Sequence, residues 1–173
     1  MKLSGPIVIA GFMGCGKTAV ARCLATRLNI GVVDLDEAVI ERVGRSPAQL
    51  ISEEGELAFR DVETSVLRGL LAEPLIGVIS LGGGAWIEAT NRQLVAESNA
   101  TTFWLDTPFE LCWERIVSSG GDRPLSKTKE QAQKLFEIRQ PVYELATIRI
   151  RTTASDTPED LAARISAFSA TQR

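Results

Sequence analysis

A glycine-rich loop between a short apolar run and an amphipathic stretch constrains the fold of this chain more than any other feature. Residues 11–18 read Gly-Phe-Met-Gly-Cys-Gly-Lys-Thr, which fits the phosphate-binding P-loop pattern G-x-x-x-x-G-K-[ST]. The run 7–10 before the loop predicts a buried strand, and the residues after it have the apolar spacing of a helix. This order predicts an α/β fold with an anion site at the helix N-terminus.

The residue types of the loop predict which groups meet a nucleotide. Gly11, Gly14 and Gly16 let the backbone approach a phosphate closely. We expect Lys17 to face solvent at this site and to reach the β- and γ-phosphates, and Thr18 to bind Mg²⁺. A chance glycine-rich turn could show the same letters, but the flanking strand and helix favour the nucleotide site.

The composition of the chain excludes several classes of function. Its 173 residues are 45% hydrophobic and 24% charged, with a formal net charge of −3, which implies no general attraction to nucleic acid or membrane. Histidine is absent, so His-based general bases, triads and metal ligands are excluded. The three cysteines show no CxxC spacing and indicate free thiols in a reducing compartment. We expect one cytoplasmic domain spanning 1–173, without a leader or a membrane span.

Short apolar runs alternate with amphipathic stretches along the rest of the chain. Strands are predicted at 7–10, 30–33, 75–81, 101–105 and 147–152, and helices after the P-loop, from 46, at 56–72, 89–97, about 108–117, 129–143 and from 157. Such alternation predicts a parallel sheet covered on both faces, with ligands at the carboxyl ends of its strands. The P-loop, Asp34 with Asp36, and Gly82–Gly84 all fall at such ends.

Two carboxylates follow the second predicted strand. Asp34 and Asp36 flank Leu35, and residues two apart in an extended segment point to the same face. Such a pair can serve a metal and a hydroxyl, whereas the alternative is a helix N-cap beside a solvated charge. The nearby P-loop favours the first interpretation. Asp106, after the fourth strand, is interpreted as the cap of the helix that follows.

Three further segments carry candidate chemistry. Gly82–Gly84 follow a strand and would expose backbone N–H groups to a ligand. The run Gly-Gly-Asp-Arg-Pro-Leu at 120–125 is typical of a mobile lid that brings Arg123 to a phosphate, although a plain surface loop would look similar. Arg60 and Arg139 lie in predicted helices, where a lone arginine is usually a solvated charge.

Taken together, these segments resemble the shikimate kinase family. The matching runs are the P-loop, Asp34-Leu35-Asp36, Glu-Leu-Ala-Phe-Arg ending at Arg60, Leu-Gly-Gly-Gly-Ala at 81–85, Arg123-Pro124-Leu125, and Arg139-x-Pro-x-Tyr143. The resemblance implies an α/β, three-layer P-loop kinase fold like that of nucleoside-monophosphate kinases, with a five-stranded parallel sheet flanked by helices. It also implies a substrate-binding helical region at about 36–72 and a lid at about 116–127.

The resemblance further implies a reaction. A member of this family transfers the γ-phosphoryl group of ATP to the 3-hydroxyl of shikimate, on the cytoplasmic route to aromatic amino acids. The implied partners are therefore shikimate, ATP as co-substrate and Mg²⁺, with no nucleic acid and no membrane, and a monomer is expected.

The resemblance assigns a role to individual residues. The nucleotide would be bound by Gly11, Gly14, Cys15, Gly16, Lys17, Thr18, Ala19, Arg115, Arg123 and Ser155. Thr18 would bind Mg²⁺ directly, and Asp34 would hold it through water. Shikimate would be bound by Asp36, Arg60, Gly82, Gly83, Gly84 and Arg139, with the two arginines on its carboxylate. The catalytic residues would be Lys17, Asp36 and Arg123.

Other P-loop classes remain as alternatives. A different small-molecule or nucleoside-phosphate kinase could use the same arginines for another anion. A GTPase-type switch would carry an Asn/Thr-Lys-x-Asp motif, which Lys-Thr-Lys-Glu at 127–130 matches only loosely. A Rossmann-like module without catalysis would not need Lys17 and Thr18 together with two strand-end aspartates and Arg123.

Overall fold

The computed structural model of the protein describes residues 5–119 and 128–170. Its strands are β1 (Ile7–Ala10), β2 (Gly31–Asp34), β3 (Ile76–Ser80), β4 (Thr101–Asp106) and β5 (Ile148–Arg151). Its helices are α1 (Lys17–Leu28), α2 (Leu35–Val43), α3 (Pro47–Glu54), α4 (Glu56–Ala72), α5 (Ala89–Glu97), α6 (Phe109–Ser118), α7 (Lys129–Tyr143) and α8 (Pro158–Ala170), with a 3₁₀ turn at Ala85–Ile87.

All five strands lie parallel in one sheet, in the order β2-β3-β1-β4-β5. β1 is central: Ile7 pairs with Val78 of β3 on one side and with Thr101 of β4 on the other. Because every strand points the same way, the loops after β1, β2, β3 and β4 leave the sheet at one edge. The predicted fold is confirmed, with the P-loop at the middle of that edge.

The core explains why β1 is a continuous apolar run. All four residues of β1 are buried, because helices cover both faces of a parallel sheet. α1 packs against α8, where Leu24 and Ile165 are fully buried. Burial of an aliphatic side chain of this size stabilises the fold by about 1.5–3 kcal/mol, so α1 is held firmly behind the loop that it follows.

Two helices begin where the sequence predicts. Ser46 and Gln49 cap the start of α3 reciprocally, with each side chain bonded to the other residue's backbone N–H. Thr157 and Asp160 form the same arrangement at the start of α8. In both helices proline occupies the first helical position, where its missing N–H is no loss.

The interpretation of Asp106 as a helix cap is wrong. β4 continues through Asp106, and the N-cap position of α6 is Pro108, which makes no side-chain cap. β5 brings Arg149 beside it, and Arg149 Nη2 donates to Asp106 Oδ2 at 2.7 Å. The carboxylate therefore pairs with a neighbouring strand and leaves the helix start uncapped.

Candidate active site

The P-loop forms one wall of the candidate site. It leaves β1 at Ala10 and enters α1 at Lys17. Gly14 has a positive φ of 77°, and a Cβ there would lie 2.5 Å from the carbonyl oxygen of Cys112, so only glycine fits. The N-cap residue, Gly16, has no side chain to cap α1. The first N–H groups of α1, up to the exposed Ala19, can therefore bind an anion.

Lys17 does not face solvent, contrary to the expectation. Its side chain turns into the loop, where Nζ donates to the carbonyl oxygens of Gly11 at 2.8 Å and Phe12 at 2.9 Å. Only 8% of the residue is exposed. The buried Cys15 thiol lies 3.7 Å from the same nitrogen. The cause is the curvature of the loop, which turns its carbonyls inward around the ammonium group and places the positive charge at the centre of the cradle.

Asp34 and Thr18 meet at the start of α2. Thr18 Oγ1 donates to Asp34 Oδ2 at 2.6 Å, while Asp34 Oδ1 accepts from the backbone N–H groups of Asp36 and Glu37. The expected extended pair is wrong, because Asp34 is the N-cap of α2 and Asp36 lies in its first turn. The N-cap alternative is thus correct for Asp34, which still presents an oxygen to Thr18.

The residues present fit a magnesium ion. The hydroxyl of Thr18 and the carboxylate of Asp34 are hard oxygen donors side by side at the phosphate cradle. Mg²⁺ is commonly bound by one or two such protein oxygens, with phosphates and waters completing its octahedron. Within 5–119 and 128–170, groups of three or more acidic, Cys or His ligands are absent.

Arg115 and Ser155 border the P-loop from the other side. Arg115, on α6, donates through Nη1 to the carbonyl oxygens of Gly14 and Cys15, both at 3.4 Å. Ser155 is exposed in the turn after β5. That turn is joined to the loop by hydroxyls, since Thr152 donates to Thr107, and Thr107 donates to the Cys15 carbonyl. The predicted adenine contacts of Arg115 and Ser155 stay a prediction.

The expected lid is described only in part. Residues 116–118 belong to the last turn of α6. Arg123 and the rest of 120–127 lie outside the described residues, so its predicted role stays a prediction.

The glycine segment after β3 joins the two walls of the site. A Cβ on Gly82 would lie 2.6 Å from Asp36 Oδ1 and 3.1 Å from Glu63 Oε1, and one on Gly83 would lie 3.3 Å from the backbone N of Met13 in the P-loop. A Cβ on Gly84 would overlap the guanidinium group of Arg60. Three parts of the site, namely the start of α2, the P-loop and Arg60, thus pack directly against this backbone.

Arg60 is an inward-facing cation and not a solvated one. Its side chain is 12% exposed and lies among three carboxylates. Nη1 is 2.7 Å from Glu63, Nη2 is 3.3 Å from Glu56, and Nε is 3.9 Å from Glu88. Arg60 Nε is buried without a hydrogen-bond partner among the described residues. A donor left unpaired in this way is available to a ligand.

Glu63 is a buried carboxylate that sequence reasoning missed. Its side chain is 1% exposed, and its Oε1 lacks a hydrogen-bond partner in the described part of the chain. Burial raises the pKa of Glu63 from its usual 4.5 to about 7; Arg60 opposes the shift, and the nearby charges of Asp36 and Glu88 add to it. The available signal was its position three residues after Arg60, on the same face of α4.

Arg139 is held on the glycine segment by the end of α7. It is 7% exposed, and its Nη1 donates to the Gly83 carbonyl at 3.2 Å. The hydroxyl of Tyr143 donates to the same oxygen at 2.5 Å. Trp86 Nε1, just after the glycines, donates to the carbonyl of Val142. These bonds fix the last turn of α7 to the loop, and they give a structural role to Tyr143, which the sequence analysis names only as part of the run Arg139-x-Pro-x-Tyr143.

The described site thus has two neighbouring walls. The first is the P-loop with Thr18 and Asp34. The second is the glycine segment with Asp36, Arg60 and Arg139, which the sheet brings together from α2, α4 and α7. The two walls touch where Gly83 meets Met13, so a phosphate on the first would lie beside an anion on the second.

Comparison with known proteins identifies relatives of this chain. A family model described as shikimate kinase matches residues 13–169. A shikimate kinase of Streptococcus gordonii is 37% identical over 158 residues, which cover 90% of this chain and 94% of that protein. A shikimate kinase of Caulobacter vibrioides is 40% identical over 159 residues, covering 90% and 77%.

Solved structures agree with this relationship. A shikimate kinase from Acinetobacter baumannii in complex with shikimate superposes with a TM-score of 0.90 at 31% identity, covering 99% of this chain and 96% of that one. One from Aquifex aeolicus gives 0.79 at 33% identity, covering 96% and 97%. A gluconokinase from Sinorhizobium meliloti, with a TM-score of 0.66, 18% identity and coverage of 99% of both chains, shares the fold alone.

Proposed function

We propose that this chain, which belongs to the shikimate kinase family, transfers the γ-phosphoryl group of ATP to the 3-hydroxyl of shikimate. One observation carries the proposal. Two inward-facing arginines and an aspartate converge on a glycine segment that itself packs against the P-loop. This arrangement would hold a small acid with the hydroxyl of that acid beside the phosphates. A GTPase-type switch that binds partners would not need such an acceptor site.

The acceptor's carboxylate would bind between Arg60 and Arg139. A guanidinium group offers parallel N–H donors that match the two oxygens of a carboxylate. Both arginines are largely buried on adjacent glycines, and Arg60 Nε has an unsatisfied N–H. Placing one carboxylate here satisfies that donor and separates two like charges.

Asp36 would hold the hydroxyl that reacts. Its Oδ1 lies against Gly82, on the same segment as the arginines but nearer the start of α2 and the P-loop. In the transfer, the hydroxyl oxygen forms a bond to the γ-phosphorus, and the bond from that phosphorus to the β–γ bridging oxygen breaks. The hydroxyl proton passes to the Asp36 carboxylate, and ADP leaves.

On the nucleotide side, Lys17 and the first N–H groups of α1 would hold the β- and γ-phosphates. Thr18 and Asp34 would hold Mg²⁺, which when bound neutralises charge on the phosphate oxygens. Arg115 would keep the P-loop in shape through its two carbonyl bonds and border the adenine together with Ser155. Arg123 would supply a further cation to the phosphates.

We further propose a monomer that acts in the cytoplasm. Throughout the described ranges, 5–119 and 128–170, the helices are too short or too polar to cross a bilayer. The formal net charge of −3 gives no general attraction to nucleic acid.

A coupled ADP-release assay tests the proposed reaction. Shikimate should support turnover with ATP and Mg²⁺, whereas quinate, gluconate and nucleoside monophosphates should support little. The product should carry its phosphate on the 3-oxygen, which ³¹P and ¹H NMR can locate. Turnover with a nucleoside monophosphate and none with shikimate would contradict the proposal.

A further inference from the structure

Glu56 lies at the two arginines of the acceptor wall. Its Oε1 is 3.3 Å from Arg60 Nη2. Glu56 also acts on Arg139. Burial lowers the pKa of Arg139, and the positive charge of Arg60 lowers it further. The attraction of Arg139 to Tyr143 and to Glu56 opposes both effects. The Glu56 carboxylate thus interacts with both arginines proposed to bind the acceptor. It contacts Arg60 directly, and its charge acts on Arg139.

The carboxylates around Arg60 differ in their freedom to move. Glu63 is 1% exposed and bonds Arg60 Nη1 from inside the fold, whereas Glu56 is 48% exposed at the N-terminus of α4. Glu56 can therefore turn into solvent at little cost, while Glu63 cannot. Glu88, also exposed, is more distant at 3.9 Å.

The two arginines also need a negative charge between them. Arg60 lowers the pKa of Arg139 by repulsion, so an empty acceptor site without a counter-ion would leave two partly buried like charges opposed. Glu63 alone is already paired with Arg60 through Nη1. Glu56, whose side chain is 48% exposed, supplies the additional charge from the solvent side of Arg60.

We infer that Glu56 is a placeholder carboxylate: it occupies the open side of the arginine pair when the site is empty and swings into solvent when the carboxylate of the acceptor takes its place. The inference rests on the proposed function. Acceptor binding is then an exchange of one carboxylate for another, and Glu56 is a specificity-determining residue that weakens binding of every anionic acceptor by its competition.

Replacement of Glu56 by glutamine tests the exchange. Glu56→Gln keeps the shape of the side chain and removes the competing charge. We expect shikimate to bind about two- to fivefold more tightly, the range for loss of a partly exposed ion pair. The KM for shikimate should fall similarly, with kcat and the KM for ATP unchanged. Shikimate methyl ester, which has no carboxylate to exchange, should gain nothing.

Asp61→Asn is the matched control. Asp61 is exposed on α4, the helix that also carries Glu56. Asp61→Asn therefore removes one negative charge from the same helix and leaves the exchange of carboxylates at Arg60 unaffected. Calorimetry with shikimate alone and steady-state kinetics should be run on the wild type and on both variants. Glu88→Gln, which acts on Arg60 from a greater distance, should give a smaller gain in affinity than Glu56→Gln.

The outcomes separate the inference from the proposed function. A higher or unchanged KM for shikimate in Glu56→Gln would overturn the inference, because Glu56 would then brace Arg60 or do nothing. An equal gain in Asp61→Asn would also overturn it, since the effect would be long-range charge alone. A wild-type protein that neither binds nor phosphorylates shikimate would overturn the proposed function, and the inference with it.

Discussion

The nucleotide wall and the acceptor wall of this site are built in opposite ways. Apart from Asp34, the nucleotide wall is one stretch of chain, residues 11–19, in which backbone N–H groups and one buried lysine provide the positive charge. The acceptor wall is assembled from α2, α4, α7 and the glycines after β3, and its charges sit on side chains that neutralise one another. Local sequence suffices for the first, whereas the second exists only in the folded chain.

This difference predicts where each wall is vulnerable. The backbone cradle depends on glycines and on a helix end, so most single side chains around it can be changed without loss of its shape. The acceptor wall depends on buried ion pairs, and removal of one member leaves an uncompensated charge. Changes to the acceptor wall should therefore alter stability and affinity together.

The largest expected effect belongs to Lys17. Lys17→Met removes the buried lysine cation at the cradle and its two bonds to the Gly11 and Phe12 carbonyls. We expect kcat to fall by about 100- to 1,000-fold or more, because charge on the transferred phosphoryl group loses its main partner. Shikimate binding, measured by calorimetry without nucleotide, should stay normal if the two walls are independent.

Lys134→Met is the control for this experiment, because Lys134 is exposed on α7. It should keep full activity and a normal melting temperature. Near-normal ADP release by a folded Lys17→Met protein would show that the cradle does not depend on this cation.

The next largest effect is expected at the arginines. Arg60→Ala or Arg139→Ala should lower kcat/KM for shikimate by about 100-fold or more, since truncation of one partner of a buried charge pair costs about 2–5 kcal/mol. Binding of an ATP analogue should hardly change. Lysine at either position should restore activity only in part, because it keeps the charge and loses the planar fork.

Two controls sharpen the arginine experiment. Arg68→Ala removes an exposed arginine from the same helix and should leave the KM unchanged. Shikimate methyl ester should be a poor acceptor for the wild type and lose little further in either alanine variant. If the ester performs as well as the acid, the arginines do not bind the carboxylate.

Much of the fold and one wall of the site follow from local patterns. The strand before the P-loop, the capping residues Ser46 and Thr157, and the alternation that predicts a parallel sheet are all encoded within a few residues of where they act. The P-loop likewise carries its own glycines and its own helix. These features need no distant contact, which is why a pattern suffices to place them.

The errors and omissions have two causes: local backbone geometry that the residue pattern does not show, and distant groups that only the folded chain brings close. Lys17 is buried because the loop closes around it, and Asp34 caps α2 because the chain turns into a helix directly after β2. Asp106 pairs with Arg149 of a neighbouring strand. Glu63 and Tyr143 look ordinary in the sequence, and only tertiary packing turns them toward the arginines and glycines. Likewise, Arg60 and Arg139 taken alone are indistinguishable from surface charges.

A third, smaller effect concerns the pH dependence of stability. The folded pKa of Glu63, about 7, lies above its usual 4.5. Its contribution to stability is therefore complete below about pH 4.5 and is lost as the pH rises through about 7. Relative to Glu63→Gln, the wild type should lose about 1–3 kcal/mol of unfolding free energy across this interval. Urea unfolding of both proteins at several pH values measures the difference.

Glu41→Gln provides the reference for that series. Glu41 is exposed on α2, so its difference from the wild type should be flat across the same interval. A flat difference for Glu63→Gln as well would mean that Arg60 fully neutralises the buried carboxylate. The acceptor wall would then contain no buried carboxylate whose ionisation destabilises the fold, and in this respect it would resemble the nucleotide wall.

A fourth effect, on the KM for shikimate, tests how the two walls are joined. Tyr143→Phe keeps the ring stacked on Trp104 and removes the hydroxyl that donates to the Gly83 carbonyl. The Gly83 carbonyl then keeps the bond from Arg139, and the glycine segment loses part of its hold on the arginine and on Met13 of the P-loop. One net hydrogen bond is worth about 1 kcal/mol, so we expect the KM for shikimate to rise about fivefold, with the KM for ATP unchanged.

Thr102→Val separates positioning from general destabilisation. It removes the Thr102 hydroxyl, which lies 2.9 Å from the hydroxyl of Thr147, the residue before β5, and which is far from the glycine segment. It should therefore lower the melting temperature about as much as Tyr143→Phe does, without changing the KM for shikimate or for ATP. If Tyr143→Phe shifts only the melting temperature, the Tyr143 hydroxyl contributes to stability and does not position the acceptor wall. If it raises both KM values together, the glycine segment transmits strain to the P-loop, and the two walls are one unit. A rise confined to shikimate would show that Gly83 positions the acceptor wall while the cradle keeps its own shape, because the cradle depends on glycines and a helix end that this hydroxyl does not touch.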